Sequence, residues 1–461
     1  MNKSIVTRPL AATGVLATLA LGTHALAQSS DALLDKLVDK GILTVKEANE
    51  LKEESDKGFT SAYSVKSGLS EWVTSLKFNG DFRGRFEQNN AENEQYIDRN
   101  RFRYRVRFGA TASLIDDFEV GLRLASGNPQ TNPGGTLVGG QPITANTDMN
   151  SLESRKFIWV DAAYARWTPI RNGDWTVSGI IGKMDNPFQL SNMVWDYDID
   201  PEGGAIQVAY NINDKHALKA TGAFFVLDEI NQGVGAVPSI AASRDPYVYG
   251  AQAWWEAKWS PKVETSLGVA VFDIAHADSL SALAQPFYNS GNTRVAGTGL
   301  LADNFNPVIG TASITYKLDS FPCYNGQFPL KAMGEYMDNP AAPSNNKAYR
   351  VGVTIGKAGR KGTWEINYRY QRLEADAWFD ALVDDDNGAF YAAGNPQLPG
   401  TGKVNGWFGG TNVRGHLAQA TYSFTDFLNF TFTYYLNDLI IKGPAENTRA
   451  GHFMADLMWK F

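Results

Sequence analysis

Arg101, Arg103, Arg105 and Arg107 occupy every second position of one stretch, with Phe102, Tyr104, Val106 and Phe108 between them. Arg83 and Arg85 repeat the spacing upstream, and Arg123 follows downstream. A guanidinium group stays charged at any physiological pH and holds a carboxylate or phosphate in a planar fork. A row of them is therefore an anion-attracting surface. A second set, Asp196, Asp198, Asp200 and Glu202, is also spaced at two, beside Met193, Val194, Trp195 and Tyr197. Set opposite the arginines, these carboxylates would create a field across a gap. Their spacing also raises calcium ligation, but no glycine-containing loop of the EF-hand type follows. No metal or other cofactor is expected. Apolar side chains in such a segment favour inward packing over a solvated surface loop. Both placements stay open at this stage.

A repeat of two belongs to β-strands, whose side chains alternate between faces. From residue 74 onward the chain holds sixteen such stretches: 74–87, 99–114, 117–126, 157–168, 174–184, 203–212, 215–226, 247–259, 263–274, 306–318, 328–337, 348–357, 362–373, 412–424, 427–438 and 448–461. In one, Trp364, Ile366, Tyr368 and Tyr370 alternate with Glu365, Asn367, Arg369 and Gln371. The connections sort by parity. Every second one is short, and most of those between are long, including 127–156, 185–202, 275–305 and 374–411. That is the plan of a transmembrane barrel with short turns on one side and long loops on the other. Trp167, Trp175, Trp259, Trp364, Phe424, Phe427 and Trp459 lie near the short-turn ends, as an interfacial aromatic girdle would. With both ends of the chain on that side the strand number is even; sixteen is the count, and eighteen stays open.

Closure follows from solvation, because no water in the hydrocarbon can satisfy a free N–H or C=O. An arginine facing lipid near mid-bilayer costs about 2–4 kcal/mol. Exposing all four of 101–107 would cost up to roughly 8–16 kcal/mol. The arginines must face inward. Sixteen strands enclose more space than side chains fill, which leaves an aqueous channel. The expected fold is therefore all-β, a transmembrane antiparallel β-barrel over residues 74–461. The expected activity is passive diffusion of small hydrophilic solutes or ions.

The rest of the composition agrees. No run of eighteen apolar residues occurs after the first segment, which excludes a helical membrane protein. A mean hydropathy of −0.28 is that of alternating faces averaging out. A net charge of −7 on 461 residues argues against a nucleic-acid partner. Lys3 and Arg8, the apolar stretch 10–21 and Ala25-Leu26-Ala27 make residues 1–27 an expected secretory signal. Residues 28–73 are expected to be a periplasmic leader and linker. Within it 29–58 reads as two short amphipathic helices, the second opened by a capping box at Thr44–Glu47, or as a flexible leader. The single cysteine, Cys323, can form no internal disulfide.

The final strand places Phe453, Ala455, Leu457, Trp459 and Phe461 on one face and Asp456 and Lys460 on the other. It resembles the C-terminal assembly signal of Gram-negative outer-membrane barrels, so Phe453, Leu457, Trp459 and Phe461 are the expected signal and the barrel assembly machinery an expected partner. Together with the leader Asp31–Thr44 and the segment Gly182-Lys183-Met184-Asp185-Asn186-Pro187-Phe188, the chain resembles the Gram-negative "putative porin" family, distantly related to the phosphate-selective porins O and P. The resemblance extends over essentially the whole chain after residue 27, on short motifs. It implies an outer-membrane channel in contact with lipid, assembled as a homotrimer, with no solute named. Three other classes were weighed. An outer-membrane enzyme has only His216, His276, His416 and His452 to work with, none in a nucleophile motif, and no catalytic residues are expected. A TonB-dependent transporter would need a plug larger than 29–58. A structural or adhesive barrel is the remaining alternative.

Overall fold

The computed structural model describes residues 68–131, 137–229, 245–280, 291–296, 298–392, 395, 406–443 and 447–461. The expected signal and the leader helices of 29–58 lie outside them. Two compact units are distinguished, residues 1–75 and 76–461, and the second is the barrel.

Sixteen long strands follow one another: β1 (Val73–Ala91), β2 (Arg99–Leu114), β3 (Phe118–Gly127), β4 (Phe157–Arg171), β5 (Trp175–Lys183), β6 (Glu202–Asn213), β7 (His216–Val226), β8 (Tyr247–Ser260), β9 (Val263–Ala275), β10 (Val308–Leu318), β11 (Phe328–Asp338), β12 (Lys347–Gly356), β13 (Trp364–Leu373), β14 (Val413–Ser423), β15 (Leu428–Leu439) and β16 (Ala450–Lys460). Each pairs with its sequence neighbour, antiparallel where the register is resolved, and β1 pairs with β16, so the sheet has no edge. The closing register sets Asp81 against Lys460, Arg83 against Met458 and Arg85 against Asp456. Phe461 completes the seam by exchanging two backbone hydrogen bonds with Gly80, at 2.8 and 3.0 Å. Its ring fills the space where a Cβ on residue 80 would sit, which is why glycine is needed there.

All sixteen expected strands are present, most with ends moved by one or two residues. The turns 115–117, 172–174, 214–215 and 261–262 are short, while 128–156, 184–201, 276–307 and 374–412 on the other rim are long. Phe82, Phe102, Val106, Phe108, Ile206, Val269, Val353, Ile366 and Phe432 point outward and are exposed, forming the apolar belt. At the short-turn rim Phe118 stacks on Trp167 at 5.4 Å and Trp175 on Tyr210 at 4.4 Å. Tryptophan and tyrosine suit that height because one end of the ring system is apolar and the other wet.

The inside is not uniformly polar. Phe225, Val248, Phe272, Ile274, Ile309 and Met337 face inward from β7–β11 and are buried. They pack with Met193, Val194 and Trp195 of loop 184–201, Leu280 and Phe305 of loop 276–307, and Trp378, Phe379, Leu382 and Val383 of loop 374–412. These strands are apolar on both faces over their long-loop halves, so three loops find there the apolar surface that water would not give them. Arg294 and Asp380, both fully buried, tie two of the loops together at 2.8 Å.

Candidate functional site

The arginine stripe is built on β1 and β2. Alternation sends Arg83, Arg85, Arg101, Arg103, Arg105 and Arg107 to the inner face and leaves Phe102, Val106 and Phe108 outside. Most of these guanidinium groups meet a carboxylate within the wall. Asp81 takes Arg105 at 2.9 Å and Arg107 at 2.7 Å. Asp456 takes Arg85 at 2.7 Å. Glu87, wholly buried, receives Arg101, Arg103 at 3.2 Å, and His452 at 3.3 Å. The stripe is thus largely neutralised by its own wall.

Arg123 of β3 lies apart from the stripe. A β-bulge opposite Arg123/Leu124 leaves Asp161 of β4 without a cross-strand partner and turns its carboxylate onto Arg123. Asp185 at 2.7 Å and Asp200 at 2.5 Å complete the group. Three carboxylates share one guanidinium there. Burial first, and then Asp161 and Asp185, push Asp200 up to about 7 against the pull of Arg123.

Loop 184–201 packs into the lumen and is held at several points. The Gln252 side chain of β8 both donates to and accepts from the Gln189 backbone, at 2.9 and 2.8 Å. Ser191 donates from its amide and its hydroxyl to Glu335 of β11. Arg350 of β12 donates to Asn192 Oδ1 at 2.8 Å. These bonds satisfy a backbone that no sheet can serve. They bring Asp198 to 3.5 Å from Arg105. Burial alone would raise the Asp198 carboxyl, but Arg105, Arg83 and Arg107 outweigh it and hold it below its ordinary value. Glu202, the fourth of the expected acids, opens β6 and meets Lys183 at 3.2 Å, and the same ammonium donates to Asp200 O at 2.8 Å. Of the terminal-strand residues, Phe461 joins the seam as described, Trp459 packs on Phe82 at 5.7 Å, Phe453 lies beside Phe86 at 6.4 Å, and Leu457 pairs with Gly84.

Loop 374–412 supplies acids that the sequence reading missed. Asp384 and Asp385 meet Asp196, with ligand oxygens within 4.8 Å of one another. The Asp385 amide donates to Asp196 Oδ2 at 3.3 Å, and the Asp196 amide to Leu382 O at 2.7 Å. Asp384 meets Arg369 of β13 at 3.2 Å, and Asp386 lies 3.7 Å from Arg85. Burial and mutual repulsion drive Asp196 and Asp385 well above the usual carboxylate range. Burial, relieved in part by Arg369, brings Asp384 to about 6. The missed signal was the run Asp384-Asp385-Asp386 between Trp378-Phe379 and Phe390-Tyr391, the same mixture of acid and apolar residues that marked the first loop. Arg350 and Arg369 alternate with tyrosine or valine on their strands and could have been read in the same way as the stripe.

Between the stripe and the acids lies an open space of about 520 Å³, bordered by Arg83, Arg105, Arg107, Asp198, Arg350, Asp385, Gln419 and Thr433. A second space of about 470 Å³ is bordered by Glu256, Glu264, Thr311, Ser313, Thr315 and Lys331. Tyr197 borders both. The arrangement sets open space beside fixed charges of both signs.

Among solved structures, OprB of Pseudomonas putida aligns at 12% identity over 88% of this chain and 97% of its own, with a TM-score of 0.49. OmpF of Salmonella typhi, in a complex with daunomycin, aligns at 10% identity over 84% and 97%, at 0.43. OpdQ of Pseudomonas aeruginosa aligns at 10% over 85% and 99%, at 0.41. No curated protein matches the sequence. Residues 92–295 match the family described as "putative porin". That stretch, a little under half of the chain, carries the arginines of β2, Arg123 and the inward loop 184–201, and over it the chain is similar to the putative porins.

Proposed function

We propose that this chain is an outer-membrane porin whose narrowest point lies between the arginine wall of β1 and β2 and the acids of loops 184–201 and 374–412. The observation that carries the reading is the closed sixteen-strand barrel with an apolar outer belt and paired charges inside. Such a wall lets water and small hydrophilic solutes pass without an energy source. Opposite charges across a gap backed by low-dielectric protein produce a stronger field than the same charges in bulk water. That field orients dipolar solutes and disfavours apolar ones. The long-loop rim faces outward in this reading, the leader lies in the periplasm, and the channel assembles as a homotrimer as the family resemblance implies.

Single-channel recording in planar bilayers tests it. The wild type should give stepwise, ohmic conductance. Asp196→Asn/Asp198→Asn/Asp200→Asn should move the reversal potential in a salt gradient toward anions and change the conductance. Absence of conducting steps from folded protein refutes the channel. Steps that are unchanged in the triple variant refute the acidic loop's place in the constriction.

A further inference from the structure

Two arginines at the edge of the larger space differ from the rest. Arg83 donates to Asn146 Oδ1 at 2.8 Å, and Arg350 donates to Asn192 Oδ1 at 2.8 Å. Among the described residues neither has a carboxylate oxygen within 4.0 Å, whereas Arg85, Arg105, Arg107 and Arg369 each do. Arg350 is almost wholly buried, and the Nε of each lacks any hydrogen-bond partner. A desolvated guanidinium without a counter-charge is costly unless something else supplies the charge. Both groups border the same space of about 520 Å³.

Between them β13 carries Arg369, paired with Asp384, and β16 carries Asp456, paired with Arg85, while the two strands in the middle border the space with uncharged side chains. β14 and β15 present Gln419 bonded to Thr433 at 2.9 Å and Thr421 bonded to Thr431 at 3.0 Å. Such a ladder can exchange its hydrogen bonds with a passing solute at little cost. The acids nearby offset the two arginines only in part: Asp198 and Asp456 act on Arg83, and Glu335 and Asp384 on Arg350, none of them within 4.0 Å. Asp196, Asp384 and Asp385 crowd within 4.8 Å of one another and cannot all carry charge at neutral pH.

The geometry points to a weak oxyanion-binding site in the lumen, with Arg83 and Arg350 as the groups that select the solute and the Gln419–Thr433 ladder as its neutral floor. The ligand class is a small solute bearing a carboxylate or phosphate. The inference rests on the channel reading. It shifts anion selectivity from the four arginines of β2, which the wall neutralises, to one arginine on β1 and one on β12.

The test uses full-length protein in planar bilayers, with potassium chloride gradients and inorganic phosphate as probe. Wild type should prefer chloride over potassium, and added phosphate should reduce the chloride current. Arg83→Gln/Arg350→Gln should lower the anion-to-cation permeability ratio by about tenfold, the scale on which a charged cleft concentrates counter-ions, and should abolish the phosphate effect. Arg83→Lys/Arg350→Lys keeps the charge but not the fork. It should therefore retain the ratio and weaken the phosphate effect, and it serves as the test if the glutamine variant does not fold. A conducting Gln variant that keeps both the wild-type ratio and the phosphate effect overturns the site and leaves the channel standing. So does a Lys variant whose phosphate effect matches wild type. A folded wild type that never conducts overturns both.

Discussion

Glu87 offers the sharpest energetic test of the arginine wall. Its side chain is fully buried on β1 and faces Arg101, Arg103 and His452, of which Arg103 and His452 are also almost wholly buried; Asp148 meets Arg103 at 2.9 Å and Arg101 at 3.8 Å from the other side. Glu87→Gln preserves shape but takes from Arg101 its nearest counter-charge and leaves Arg101 and Arg103 to share Asp148. Breaking a buried pair by removing one partner costs about 3–5 kcal/mol. Glu202→Gln removes an equally real contact, to Lys183, but its carboxylate is two-thirds exposed, and such pairs contribute about 0–1 kcal/mol. Urea unfolding of the folded barrel in detergent or lipid vesicles reads the difference from the midpoint and slope. Glu87→Gln should fall well below wild type and Glu202→Gln should not. Adding Arg103→Gln to Glu87→Gln should recover part of the loss, because it leaves Asp148 to Arg101 and removes the excess positive charge; the coupling appears as non-additivity in the double-mutant cycle. If Glu87→Gln and Glu202→Gln unfold together, Glu87 is solvated by the lumen and the argument from burial is wrong.

Three further outcomes follow from the same geometry. Lowering the pH from about 8 to 5 should move the reversal potential toward anions, because Asp200, pushed up to about 7, and Asp384, at about 6, lose charge in that window while guanidinium groups in general stay charged; a flat profile refutes it. Cysteine scanning of residues 101–108 in a Cys323→Ser background, needed because Cys323 is exposed, should give alternating labelling by a water-soluble thiol reagent, with Phe102, Tyr104, Val106 and Phe108 positions protected; uniform labelling or the opposite phase would undo the register. Phe461→Ala should reduce the amount assembled in the outer membrane while leaving folding in detergent intact, and equal amounts across expression levels would count against its role in assembly.

The barrel was legible because the bilayer imposes one pattern on every strand. Phe102–Phe108 had to alternate with arginine, and loop lengths had to sort by rim, whatever else the chain does. The strands β7–β9 were legible for a weaker reason. Phe224-Phe225-Val226 and Val269–Phe272 are apolar on both faces, so alternation fades where the inner face meets packed loops rather than water. The site was half legible. Spacing showed the arginines, and the apolar company of Asp196 raised its inward placement. Their neutralisation by Asp81, Glu87 and Asp456 depends on register between strands far apart in sequence, such as Arg85 with Asp456. No local pattern carries that. The same holds for the meeting of Asp196 with Asp384 and Asp385, which two separate loops make by folding onto one apolar surface.

In the proposed orientation, the core shared by three loops divides the outward rim into ground that can change and ground that cannot. Residues 151–155 are exposed throughout, and an inserted tag or a raised antibody could reach them without touching the channel. Met193, Trp195, Trp378 and Phe379 are sealed against the wall. A cell that must alter its surface to escape recognition could rewrite the first segment freely. It could rewrite the second only by refitting the interior of the barrel at the same time.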